Sequence, residues 1–247
     1  MKNMLDGRVV LITGSSRGIG EACARLAINY GAKVILHGRT DSDDLKRLAQ
    51  ELKANFISCD VADKTAVERA VKDVAGKLGK IDVLINCAGI LNNKPFFDTD
   101  DQNYLEHFKI NFLGTVHFCQ AVAPAMKKTG YGRIVNISSL RGHAERANNE
   151  SVAYSASKAA VINFTVALAK ECAPNILVNC VSPGPTLTQM SKHWSKSLKQ
   201  KYQTGLLKRA ARPEEIAEVI LFLASERNTF MTGQTIIVDG GYSISGK

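Results

Sequence analysis

Seven short apolar runs, most of them rich in β-branched residues, are separated by longer stretches with helical spacing. The runs are 8–12 (RVVLI), 33–37 (KVILH), 55–58 (NFIS), 81–85 (IDVLI), 133–137 (RIVNI), 176–180 (ILVNC) and 235–238 (TIIV). They are nearly continuous in apolar character instead of alternating, as strands are when both faces of a sheet are covered. Helices are expected over 19–30, 41–53, 64–78, 101–127, 152–172 and 213–224. This repeated β-α-β order predicts an α/β fold: a single-domain, doubly wound parallel sheet with helices on both faces. The chain has 247 residues and neither a Ser/Gly/Pro linker nor an internal repeat, so one domain over 1–247 is expected. The stretch at about 185–210 is polar, basic and weakly helical, and it holds the only tryptophan, Trp194. A mobile lid is predicted there, with His193 and Trp194 in it.

Sheets of this kind bind ligands beyond the carboxyl ends of their strands. After the first run comes Thr13-Gly14-Ser15-Ser16-Arg17-Gly18-Ile19-Gly20, opening a helix. Glycines let the backbone turn and approach a pyrophosphate, and a helix N-terminus stabilises its charge. Candidate contacts are Gly14, Ser16, Arg17, Gly18, Ile19 and Gly20. A purely structural turn is the competing reading; an ATPase-type loop is not, because GK[ST] is missing. The second run ends His37-Gly38-Arg39-Thr40, and the nearest acid, Asp41, falls past the strand. With no carboxylate placed for ribose hydroxyls, Arg39 and Arg17 suit a 2′-phosphate, which points to NADP(H) over NAD(H). Both arginines would equally serve as solvated surface groups. After the third run, Asp60 with its neighbour Val61 suits an adenine amino group, or Asp60 caps the next helix. Asn86-Cys87-Ala88-Gly89 follows the fourth run. Asn86, Ala88 and Gly89 would let a flat ligand approach, or simply form a tight turn.

Tyr154 and Lys158, in YSASK, are spaced i and i+4 and so share a helix face. Surface pairs of this kind are common. Here the neighbours are small, and the preceding strand ends in Ser138-Ser139 at the carboxyl edge. Asn111 lies within a packed helical stretch beside Phe108, Phe112 and Thr115, where an amide needs partners. A phenol ordinarily titrates near a pH of about 10. The Lys158 ammonium and a positively charged nicotinamide are expected to lower it. Tyr154 would then exchange a proton with an alcohol or carbonyl oxygen, and Ser139 would hydrogen-bond the same oxygen. Lys158 would also hold the cofactor ribose, and Asn111 would keep a water beside Lys158.

These motifs together make the chain resemble the short-chain dehydrogenase/reductases of the classical type, from about residue 6 to residue 243. TGSSRGIG is similar to the family's cofactor loop. NCAG is similar to its NAG motif, with Cys87 as the departure. YSASK matches YxxxK, Asn111 the helix asparagine and Ser139 the catalytic serine. Pro183, Gly184, Thr186 and Thr188 fall in the segment that lines the nicotinamide amide, and IIVDGG matches the last strand and its turn. The resemblance implies a Rossmann fold, nicotinamide-dependent hydride transfer on the B face, and a homotetramer. One interface would use helices 101–127 and 152–172, the other the last strand and the helix before it.

Ser139 and Tyr154 are fifteen positions apart, a longer interval than the family usually has. The surplus falls in RGHAERANNES, a polar loop with His143, Glu145, Arg146, Asn148 and Asn149 that would border the substrate. Leu187 and Gln189 stand where relatives often carry acids. The expected reaction is interconversion of a carbonyl and a secondary alcohol with NADP(H). Alternatives are 3-oxoacyl-carrier-protein reduction, sugar or polyol oxidation, a lyase or epimerase, and an NADP(H)-sensing regulator without turnover. The net charge of +9 agrees with an acidic carrier-protein partner. Against that partner, Pro174-Asn175 replaces a basic residue expected before the sixth strand.

The basic residues are otherwise scattered and form no nucleic-acid motif, so no nucleic-acid partner is expected. No apolar run reads as membrane-spanning, the N-terminus lacks a signal-peptide layout, and six unpaired cysteines suit a reducing cytoplasm. Several cysteines follow apolar periodicity as core fillers. No metal site is expected, and His37 and His107 read as structural or surface residues.

Overall fold

The computed structural model describes residues 3–191 and 194–245. Seven parallel strands form one sheet: β1 (Val9–Thr13), β2 (Lys33–Gly38), β3 (Asn55–Ser58), β4 (Val83–Asn86), β5 (Gly132–Ile137), β6 (Ile176–Pro183) and β7 (Thr235–Val238). Their order is β3-β2-β1-β4-β5-β6-β7. The chain winds outward from β1 in one direction, then crosses back to β4 and winds in the other. The carboxyl ends of β1 and β4 therefore flank the crevice where such sheets take ligands. Helices α1 (Gly18–Asn29), α2 (Asp43–Leu52) and α8 (Pro213–Ala224) cover one face. The other is covered by α3 (Lys64–Leu78), α5 (Gly114–Thr129) and α6 (Val152–Cys172). The central strands β1 and β4 are buried throughout, which explains their uninterrupted apolar runs. Each fully buried side chain such as Leu11, Ile85 or Phe118 contributes on the order of 1.5–3 kcal/mol.

Two boundaries moved for identifiable reasons. The β4 ladder starts at Val83 and not at Ile81. The Asp82 carboxylate instead accepts the Val9 N–H at 2.9 Å and pairs with Lys80 at 2.9 Å. The expected helix over 101–127 is three pieces: α4 (Asp101–His107), a π-helical turn (Phe108–Leu113) and α5. Wide turns of this kind concentrate at functional sites, and this one carries Asn111. At its end Gly114 has no room for a side chain, since a Cβ would lie 2.7 Å from Val61 Cγ2.

α6 departs from another expectation. By length and composition it is apolar enough to cross a membrane, because it is built from Ala and Val instead of one bulky run. In the structure one of its faces, with Lys158, Val161, Thr165 and Ala169, is buried against the protein. All six cysteines are free, and five are buried. Burial pushes the Cys59 and Cys180 thiols up to about 11 and Cys119 to about 12.

Candidate active site

The glycine loop after β1 folds onto the turn after β4. Gly14 has φ +62°, and a Cβ there would lie 2.8 Å from Ala88 Cα, while one on Gly20 would collide with the Gly14 carbonyl oxygen. Ala88 N donates to Thr13 Oγ1 at 3.0 Å, tying the two loops together. Ile19 packs on the core below, and Ser16 stays half-open above. Thr188 reaches back over the loop, 3.5 Å or less from where a Gly18 Cβ would be. Its neighbours are fixed: Thr186 Oγ1 donates to Gly184 O at 3.0 Å, and Gly184 N donates to Val238 O at 2.9 Å. Pro183 ends β6 at this same edge.

A histidine buttresses the cradle. Gly14 N donates to His37 Nδ1 at 3.2 Å, so the ring proton sits on Nε2, which donates to Cys59 O at 3.1 Å. Ser15 Oγ accepts from His37 N at 2.8 Å. The structural reading of His37 holds, and the ring is buried edge-on to Phe118. Burial lowers its pKa to about 4.

Arg17 and Arg39 are both exposed and make no ion pair among the described residues. Asp60 Oδ1 accepts from Ala62 N at 2.9 Å, whereas the cap of α3 is Asp63. The capping alternative for Asp60 is thereby corrected: the chain supplies a second aspartate for that task. Val61 is buried, with its carbonyl held by His117 Nδ1 at 2.8 Å. Asn86 donates to Asn136 Oδ1 at 2.9 Å, while its own buried Oδ1 has no partner. The residues fit an extended dinucleotide: a cradle that admits no Cβ, two unpaired guanidinium groups at its rim and an unsatisfied amide oxygen below. Among the described residues no three His, Cys, Asp or Glu side chains cluster for a metal ion.

The reacting side chains meet at the next strand edge. Ser139 stands near enough to the Tyr154 phenol to pull its pKa down, and its Oγ accepts the Arg141 N–H at 3.2 Å. His107 meets Tyr154 edge-on at 6.2 Å between ring centres. The His107 ring is locked between Asn92 N at 3.2 Å and Asn103 O at 2.8 Å. Asn111 is fully buried. Its Oδ1 accepts Ile90 N at 2.8 Å, and its Nδ2 donates to Ile90 O at 3.1 Å and Ser157 Oγ at 3.0 Å. Gly89 leaves the gap between them and the ammonium, for a Cβ there would be 3.1 Å from Asn111 Oδ1 and 3.4 Å from Lys158 Nζ.

The electrostatics differ from the sequence expectation. Lys158 Nζ donates to Ile137 O at 2.8 Å and lies 5.9 Å from the Tyr154 ring centre. Burial lowers its pKa to about 8. Tyr154 keeps part of its surface open, yet the packing around the phenol raises its pKa. The groups that pull it back down are Ser139 and Arg141, not Lys158. The phenol thus holds its proton at neutral pH, the state a proton donor needs. Sequence spacing brought Lys158 to the right face but did not show that a carbonyl at the end of β5 would claim its ammonium. Arg141 was not singled out, although it stands two residues past Ser139.

The Trp194 ring leans on Tyr202, tilted, with 4.5 Å between centres, and Tyr202 meets Tyr242 edge-on at 5.8 Å. The short helix α7 (Lys196–Tyr202) is therefore tied to the C-terminal turn. A cleft of about 360 Å³ opens between Leu187, Trp194, Tyr202 and Arg209. His193 lies outside the described residues.

Residues 14–243 match the family model described as enoyl-(acyl carrier protein) reductase. The chain is 39% identical to the 3-oxoacyl-[acyl-carrier-protein] reductase FabG of Aquifex aeolicus, over 98% of this chain and 99% of that protein. It is 36% identical to a D-threitol dehydrogenase of Mycolicibacterium smegmatis, over 97% and 94% of the two chains. A short-chain type dehydrogenase/reductase from Mycobacterium ulcerans superposes with a TM-score of 0.92 at 28% identity, covering 97% of this chain and 90% of that one. With these relatives and this sheet order, the chain belongs to the short-chain dehydrogenase/reductase family of oxidoreductases.

Proposed function

We propose that this oxidoreductase is NADP(H)-dependent and interconverts a carbonyl and a secondary alcohol. The observation that carries the reading is the meeting of Ser139 with a protonated Tyr154, one helical turn from Lys158 and beside the glycine cradle. When bound, the nicotinamide supplies or accepts the hydride. Tyr154 gives its proton to the carbonyl oxygen in reduction and recovers one in oxidation. Ser139 hydrogen-bonds that oxygen as negative charge builds on it. Lys158 holds the ribose, and Asn111 keeps the Ile90 backbone and a water path beside it. Gly14 to Gly20, Asn86, Ala88, Gly89, Asp60, Val61 and the 183–188 segment hold the dinucleotide. Arg17 and Arg39, lacking acidic partners, take the 2′-phosphate. The 185–210 segment covers the substrate and excludes water.

We further propose a homotetramer in the cytoplasm. Exposed Leu105, Leu113 and Val166 on the α4–α6 side support one interface, and Phe222 and Ile237 on the α8–β7 side support a second. Reduction of 3-oxoacyl groups on a carrier protein is the second reading, favoured by the FabG relative and the +9 charge. The test is a panel of ketones, 3-oxoacyl thioesters and polyols with NADPH and NADH, read as nicotinamide absorbance. Faster cofactor oxidation with NADPH than with NADH is expected. A protein that binds NADPH and turns over none of the panel would instead be a sensor.

A further inference from the structure

The wall of the site between β6 and α6 is the stretch 140–151. It is anchored on both sides. His143 Nε2 meets Ser182 Oγ at 3.0 Å, and Asn148 N donates to Ser155 Oγ at 3.4 Å. At Gly142 a Cβ would come 2.8 Å from the Lys158 carbonyl carbon, so the turn is pressed onto α6. Arg141 Nη1 donates to Ser151 Oγ at 2.7 Å. Ser151 is buried and directly precedes α6. The guanidinium is therefore held at the first helical turn, the turn that carries Tyr154.

Arg141 is half-buried and has no carboxylate among the described residues. Arg8, Arg25, Arg47, Arg209 and Arg212 each have one. One of its five N–H donors is used by Ser151, and the rest meet no protein acceptor among the described residues. Nearby, Arg146 has a buried Nε without a partner. A partly desolvated guanidinium is favourable when an anion completes it, and its planar fork matches a carboxylate. Neutral substrates such as polyols or thioesters offer it hydroxyl or carbonyl acceptors but no countercharge.

We infer that Arg141 determines specificity by holding the carboxylate of a small 2- or 3-oxo acid, or of the matching hydroxy acid. The carboxylate would sit beside the first turn of α6, the turn whose Tyr154 phenol serves the carbonyl oxygen. This rests on the oxidoreductase reading above and narrows its substrate class.

The test uses the full chain with NADPH and NADH on matched pairs: acetoacetate against methyl acetoacetate, and pyruvate against butane-2,3-dione. A 3-oxobutanoyl thioester forms a third arm. The acid should have the higher kcat/KM in each pair. Arg141→Gln should cut the acid-to-neutral ratio by roughly 10- to 100-fold, the size expected for one charge-assisted hydrogen bond, with Arg141→Lys in between. Malonate, which cannot be reduced, should inhibit the native chain and lose that effect in Arg141→Gln. A neutral ester or thioester used as well as the acid overturns the inference. So does a ratio that survives Arg141→Gln, which would make Arg141 a brace for Ser151 only. Turnover without acid preference sinks this inference alone; no turnover of any carbonyl with either cofactor sinks the oxidoreductase reading with it.

Discussion

Acidification should destabilise the fold through His37, although His37 is not a catalytic group. Its ring accepts the Gly14 N–H at Nδ1 and donates from Nε2 to Cys59. A second proton would have to sit on Nδ1, facing the Gly14 donor. Burial therefore lowers the pKa from the ordinary 6.5 to about 4. Above about pH 6.5 the imidazole is neutral in both folded and unfolded chains. Between 6.5 and 4 only the unfolded chain takes the proton, so stability falls as pH falls. Below 4 both are charged and the loss is complete. At about 1.4 kcal/mol per pKa unit the window holds about 3 kcal/mol, of which about 2 kcal/mol is gone by pH 5.

Urea unfolding followed by circular dichroism at pH 8, 7, 6 and 5 measures this. The native chain should lose about 2 kcal/mol more than His37→Gln over that range. NADPH affinity of the folded chain should hold through this window and weaken only near pH 4, where the folded ring itself takes the second proton and Nδ1 can no longer accept the Gly14 N–H. Parallel pH curves for the two proteins would refute the reasoning. Should the variant not fold, the assigned His37 ring resonance in the native chain decides: titration near 6.5 refutes it.

Three other outcomes are expected. Tyr154→Phe should lower kcat by about 100- to 10,000-fold while NADPH still binds by fluorescence titration; near-normal turnover would remove the proton-donor role. Arg39→Asp should shift the NADPH-to-NADH ratio of kcat/KM by roughly tenfold or more toward NADH, and an unmoved ratio would return Arg39 to the solvated surface. Gly14→Ala faces a φ of +62° and the Ala88 backbone at 2.8 Å. It should cost about 1–2 kcal/mol for the left-handed backbone plus about 1–3 kcal/mol for overpacking, seen as a lower Tm.

How much of the site was legible depended on whether its cause was local. Gly14, Gly18 and Gly20 announce a turn where strand becomes helix, and the loop closes as that spacing implies. Tyr154 and Lys158 share a face because four residues make about one helical turn. By contrast, the π turn at Asn111 interrupts a stretch whose apolar spacing looks like one helix. The amide's partners, Ile90 and Ser157, come from elsewhere in the chain. The α3 cap illustrates the same limit, since Asp60 and Asp63 are equivalent candidates until backbone geometry selects Asp63.

The sequence by itself determined the strand and helix order, the doubly wound class and the residue types at the carboxyl edge, because periodicity and turn chemistry act over a few neighbouring residues. The tertiary structure alone decided the electrostatics. It sent the Lys158 ammonium to the Ile137 carbonyl, set the Tyr154 phenol under the Arg141 charge and buried His37 behind the glycine loop. Those outcomes depend on how much water is removed around each group and which charge remains near it, and the elements that remove the water are far apart in the chain.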